Sequence, residues 1–156
     1  MKKSPAARVP VLCLATVALL ASCATFQYAA RPQNVMRVIT EFNSGNTASL
    51  EGSTQLPFLF NGDIVELRED VATMWTNLVV SGLKIQNAQI LENTPATPAS
   101  YTAFADTMEV RVFFQKYLPK GTRLVRIGFD GGSFDLLLAG PKNGRPVIIG
   151  IKGGPT

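Results

Sequence analysis

Between Arg123 and Lys152 the chain reads as β-strands in immediate succession, and this stretch limits the fold more than any other. Arg123–Phe129, Ser133–Ala139 and Pro146–Lys152 are runs rich in Val, Ile, Leu and Phe, joined by Asp130-Gly131-Gly132 and by Pro141-Lys142-Asn143-Gly144. Connections this short predict adjacent antiparallel strands. If Asp130-Gly131 forms a tight turn, Phe129 faces Gly132, Ile127 lies opposite Phe134 and Arg126 lies opposite Asp135. Val125, Ile127, Phe129, Phe134, Leu136 and Leu138 then share a strongly apolar face, and Leu124, Arg126, Gly128, Ser133, Asp135 and Leu137 a mixed one. The apolar face is expected to receive the helices, so the fold class is α+β: N-terminal helices packed on a curved antiparallel sheet.

The upstream sequence supplies those helices. Pro32 suits a first helical position, Val35, Val38, Ile39 and Phe42 recur with helical spacing, and Gly45 offers a stop. Asn46 to Gln55 reads as a short helical turn or loop. Leu56-Pro57-Phe58-Leu59-Phe60 is a compact apolar segment ending in the turn signal Asn61-Gly62, with Ile64 to Leu67 as its return. Glu69 to Ser81 is the clearest helix, carrying Val71, Met74, Trp75, Leu78 and Val79 on one side, with Gly82 just beyond it. Lys84 to Leu91 is a weaker strand candidate, and Thr94 to Ser100 is marked as a loop by its proline and small polar residues. Residues 106–118 fit two periods. Val110, Phe113, Phe114 and Tyr117 follow helical spacing behind Asp106 and Glu109, which resemble a capping box, whereas Met108, Val110, Val112 and Phe114 alternate like a strand. The helical reading is preferred.

The chain has no histidine and two cysteines, Cys13 and Cys23. Without histidine there is no Ser-His or Cys-His pair, no histidine metal site and no side chain that ordinarily titrates near neutrality. No metal site and no cofactor are implied by any motif. Acid-base chemistry would fall to a carboxylate or lysine with a strongly shifted pKa, and Asp135, set within an apolar strand, or Asp63 is the candidate cavity carboxylate. A cross-strand ion pair between Arg126 and Asp135 accounts for the same position without catalysis. Candidate residues for an apolar pocket are Phe58, Phe60, Trp75 and Phe113, although Trp75, on an apolar helix stripe, also fits plain core packing.

The first residues describe an export signal. Lys2, Lys3 and Arg8 precede an uncharged apolar run from Val9 to Leu20, too short to span a bilayer, and small residues then lead to a cysteine. Leu20-Ala21-Ser22-Cys23 resembles the lipobox of bacterial lipoproteins. The resemblance implies cleavage between Ser22 and Cys23, a lipid-modified Cys23 and a membrane anchor of two or three acyl chains, which holds where a single chain would not. Residues 1–22 are then the signal peptide, 23–31 the lipidated tether and 32–156 a single domain. The tether from Ala24 to Arg31 reaches only about 27 Å when fully extended, at roughly 3.4 Å per residue, which keeps the domain near the membrane surface. Ala24 is not the aspartate associated with inner-membrane retention in Gram-negative envelopes, so the resemblance favours the outer membrane, facing the periplasm or the cell exterior.

Losing the signal also removes most of the net charge. Of fifteen basic and eleven acidic residues, Lys2, Lys3 and Arg8 depart, leaving twelve basic residues and a net charge of +1. No bulk attraction to nucleic acid remains. The mature domain would hold neither a disulfide nor a free thiol, so it must cohere by side-chain contact alone. Charge is divided along it: the part before Arg111 is acidic and the part from Arg111 onward basic, which suggests either that the two complement each other in the fold or that a basic sheet face meets an anionic partner.

The order of an N-terminal helix, the Leu56-Pro57-Phe58-Leu59-Phe60-Asn61-Gly62-Asp63 segment, a helix carrying Met74-Trp75 and a closing run of antiparallel strands resembles the NTF2-like superfamily. That resemblance implies a curved sheet wrapped round helices as a cone, often with an apolar pocket at its open end. The superfamily includes enzymes and binding modules, and its isomerases use an aspartate with a tyrosine and a second acid, an arrangement that neither Tyr101 nor Tyr117 supplies here. The expectation is a non-enzymatic, membrane-anchored envelope lipoprotein whose domain binds an apolar small molecule or an envelope protein. The alternatives are an NTF2-like enzyme using a cavity carboxylate and a structural lipoprotein without a ligand. Leu137 and Ile148, taken as apolar residues on the less apolar side of the strands, suggest a homodimer through a sheet face.

Overall fold

The computed structural model describes residues 31–153. The signal, the cleavage pair Ser22 and Cys23, and the tether up to residue 30 lie outside the described residues.

Helix α1, Pro32–Asn43, opens on its proline and buries Val35, Val38, Ile39 and Phe42. Helix α2, Thr47–Ser53, is capped by Asn46, whose side-chain oxygen accepts the Ser49 N–H at 3.2 Å. Strands β1, Thr54–Phe60, and β2, Asp63–Val65, form an antiparallel hairpin through Asn61 and Gly62, both at positive φ, as a twisted two-residue turn requires. Helix α3, Arg68–Val80, places Glu69 and Asp70 in its first turn, where the helix dipole favours negative charge, and buries Val71, Met74 and Trp75.

Strand β3 covers Gln89–Pro95, later than the Lys84–Leu91 expectation. The displacement has two local causes. Ile85 is held by the Asn43 side chain rather than by a strand neighbour, and Asn87 takes a φ of 53°, which breaks extended backbone. Pro95 is accommodated because β3 lies at the sheet edge, paired on one side only. The expected loop around Pro98 is partly a 3-10 helix, Pro98–Ala103, in which Thr97 and Ser100 cap one another.

Helix α4, Met108–Lys116, resolves the ambiguous segment. Val110, Phe113 and Phe114 are buried while Met108 is 66% exposed, the pattern of one helical face rather than alternation. Its N-cap is Thr107, which accepts the Val110 N–H; Asp106 instead pairs with Arg111 at 3.3 Å.

Strands β4, Arg123–Phe129, β5, Gly132–Lys142, and β6, Arg145–Gly153, form the expected antiparallel run, with Phe129 opposite Gly132 and Arg126 opposite Asp135. The sheet order is β2-β1-β6-β5-β4-β3. Every neighbour pair is antiparallel except β1 and β6, which run parallel, so the sheet is mixed rather than wholly antiparallel. Helices α3 and α4, the 3-10 helix and four strands separate β1 from β6, ample chain for the crossover that parallel pairing demands. Pro57 has no N–H to donate, and the β1–β6 pairing is interrupted between Thr54 and Leu59.

Both faces of the sheet are covered, which corrects the expectation of a single helix-bearing face. Helices α1, α2 and α3 bury Val125, Ile127, Phe134, Leu136, Leu138 and Ile148 on one face. On the other, α4 and the 3-10 helix cover Leu59, Leu137, Ala139 and Ile149. The mixed face carried enough hydrocarbon, once β1 and β6 contributed theirs, to need a cover of its own. Leu137 and Ile148 lie in different cores and are wholly buried, so neither offers surface to a second copy.

Candidate functional site

The first core is incompletely filled. A cavity of about 220 Å³ lies between α1, α3 and the sheet. Phe42 and Ile39 of α1, Trp75 and Leu78 of α3, and Phe60, Phe129, Phe134, Leu136 and Ile151 of the strands supply its wall. Alternation along β5 explains the sheet contribution: Phe134 and Leu136 project toward α1 and α3, and Asp135 between them projects away.

Trp75 is the most firmly placed of these groups. Its indole N–H donates to Thr54 Oγ1 at 3.0 Å, and that hydroxyl donates to the Leu50 carbonyl at 2.8 Å. Phe42 meets its ring edge-on at a centroid distance of 6.5 Å, and Phe58 lies 6.2 Å away. A buried indole satisfied at one end by the protein leaves its hydrocarbon flank to form a wall.

The chain between α3 and β3 closes one side through Leu83 and Ile85. This connection is fastened at both ends. The Asn43 side chain accepts the Ile85 N–H and donates to the Ile85 carbonyl, each at 2.9 Å, which reproduces a strand pair with a side-chain amide. Farther along, Asn87 donates to Asp130 at 2.8 Å and the Asp130 N–H reaches the Gln86 carbonyl. Leu83 itself remains 41% exposed at the margin.

Of the residues singled out from the sequence, Phe60 and Trp75 line the cavity. Phe58 is completely buried and packs against Trp75, outside the lining. Phe113 lies in the second core across the sheet, against Phe114 and Tyr117, because its helix covers the opposite face. The lining contribution of Phe129, Phe134 and Leu136 could have been read from the apolar face of the predicted hairpin. That of Ile85 and its Asn43 clamp had no sequence signal, since residues 43 and 85 meet only through the tertiary fold.

The carboxylates stand elsewhere. Asp135 projects from the opposite side of β5 and accepts two bonds from Arg126, Nε to Oδ1 at 2.9 Å and Nη2 to Oδ2 at 3.1 Å. Hydrogen bonding to Asp135, followed by its Coulomb attraction, raises the Arg126 pKa above its already high ordinary value. Glu92 approaches the same guanidinium at 3.9 Å from the neighbouring strand, joining the acidic and basic parts of the chain. Asp63 is exposed at the start of β2. Neither Asp63 nor Asp135 belongs to the cavity wall, and among the described residues no cluster of carboxylates and cysteines is placed to hold a metal ion. Comparison of the chain with known protein families, characterised proteins and solved structures finds no match.

Proposed function

We propose that this chain is an envelope lipoprotein, anchored through Cys23 and favouring the outer membrane, whose domain is NTF2-like and binds a small apolar molecule in the cavity beside Trp75. The observation that carries this reading is the cavity itself: about 220 Å³ bounded mainly by hydrocarbon and aromatic rings, with Asn61 and Ser133 as its polar side chains and no ionisable side chain in its wall. Apolar cavities of about 150 Å³ stay dry and accept benzene, so this volume suits a modest apolar guest. The NTF2-like assignment draws its support from the element order and from an apolar space between sheet and helices, where the resemblance leads one to expect it. A binding rather than catalytic role is supported by the distance in the fold between the cavity wall and the paired Asp135.

Native mass spectrometry of the protein extracted from membranes tests the binding role. A discrete adduct lost on denaturation supports it. A clean apo mass that persists after incubation with small apolar molecules counts against it. The anchor has a separate test: Cys23→Ser is expected to abolish incorporation of labelled palmitate and to move the protein from the membrane pellet to the soluble fraction.

A further inference from the structure

The polar groups of the cavity wall are neighbours at one margin. Asn61 in the β1–β2 turn accepts the Gly153 N–H through Oδ1 at 2.9 Å, and Gly153 is the register partner of Phe134, which follows Ser133. The Gly153 N–H fixes which end of the Asn61 amide is oxygen. Its NH2 end is therefore the donor that remains, on an exposed residue at the mouth of the cavity. The rest of the wall is hydrocarbon.

No cation lines the cavity. Lys84, flanked by the lining residues Leu83 and Ile85, donates its ammonium to the Asn43 carbonyl at 2.8 Å, and Lys152 donates to the Ala103 carbonyl at 2.8 Å. Beside these two lysines, each engaged by a backbone carbonyl, the acidic neighbour of the margin is Asp130, adjacent to the lining residue Gly131 and bonded by Asn87. A carboxylate or phosphate head would lose hydration and gain no counter-ion.

From this arrangement we infer that the ligand is a single-chain amphiphile with an uncharged head. The chain occupies the cavity, and a head oxygen, from a hydroxyl, ester or amide, accepts the Asn61 NH2. The inference rests on the cavity being a binding site. On the scale set by benzene in about 150 Å³, the volume holds about nine heavy atoms, a medium chain.

Trp75 is the sole tryptophan of the chain and is 1% exposed, so a bromine atom quenches its emission only from inside the domain. The test uses the full-length protein in phosphatidylcholine vesicles, titrated with bromo-octanol, bromo-octanoate at neutral pH and bromo-octane, with affinities referred to free aqueous probe. Bromo-octanol is expected to quench saturably and at least about tenfold more tightly than bromo-octanoate, since tenfold is about 1.4 kcal/mol. Asn61→Asp keeps the acceptor for Gly153 and removes the donor; it is expected to weaken bromo-octanol about fivefold to tenfold, the worth of one hydrogen bond, and to leave bromo-octane unchanged. Should Asn61→Asp fail to fold, Asn61→Gly tolerates the positive φ and carries the same expectation. Tighter binding of bromo-octanoate, or equal effects of the substitution on bromo-octanol and bromo-octane, overturns the uncharged-head inference while the cavity reading stands. Absence of saturable quenching by all three probes overturns the cavity reading itself.

Discussion

On the face covered by α4, Phe113 is completely buried, with Phe114 and Tyr117 at ring distances of 6.0 and 5.9 Å, and Phe104 lies 5.8 Å from Phe114. On the face covered by α1 and α3, an equally aromatic set surrounds about 220 Å³ of open space. The two cores share one sheet and similar residue types. They differ in how their covers are held. Helix α4 presses consecutive aromatics directly onto the strands, whereas the chain between α3 and β3 is suspended from polar clamps at Asn43 and Asp130. One face thus supplies rigidity by contact, and the other keeps space open by hydrogen bonding at its margin.

Removing Phe113 attacks the filled face. Phe113→Ala is expected to destabilise the protein by about 3–5 kcal/mol, the usual cost of deleting a buried aromatic ring, read as a lower midpoint in urea denaturation. The same face is intolerant of added atoms at Gly150, where a Cβ would lie 2.9 Å from the Leu59 carbonyl oxygen and 3.0 Å from its Cβ. Gly150→Ala is expected to cost about 1–3 kcal/mol, since backbone has to move; a neutral result would mean the β1–β6 contact is looser than its geometry. At the open face, Asn43→Leu removes two hydrogen bonds, so about 1–2 kcal/mol is expected, with faster hydrogen exchange at the Ile85 amide and no change at Leu136. Filling the cavity completes the series. Leu78→Phe is expected to shift stability by less than about 1 kcal/mol while abolishing bromo-octanol quenching of Trp75, the reverse of the response to added volume at Gly150.

Much of the scaffold was legible because its signals are local. The Asp130-Gly131 turn set the whole β4–β5 register, and with it the Arg126–Asp135 contact, from residues adjacent in sequence. Helical spacing placed Trp75 and Phe42 on inward faces. What escaped depends on distant chain. Nothing near Phe113 says which side of the sheet its helix will cover, and nothing near Leu56 says that β1 will run parallel to β6. The candidate site was half legible for the same reason: Phe60 and Trp75 were found, but the void between them is a property of packing, which periodicity does not encode.

The parallel pairing of β1 with β6 has a consequence for biogenesis. Strand β6 sits inside the sheet, between β1 and β5, and Arg145 at its start reaches Ser49, 96 positions earlier, at 2.7 Å. Until that strand arrives, β1 and β2 have no sheet to join, and such long-range closure is slow to form. A chain that emerges N-terminus first therefore holds β1 and β2 without their sheet partner until β6 has followed, about 85 residues later.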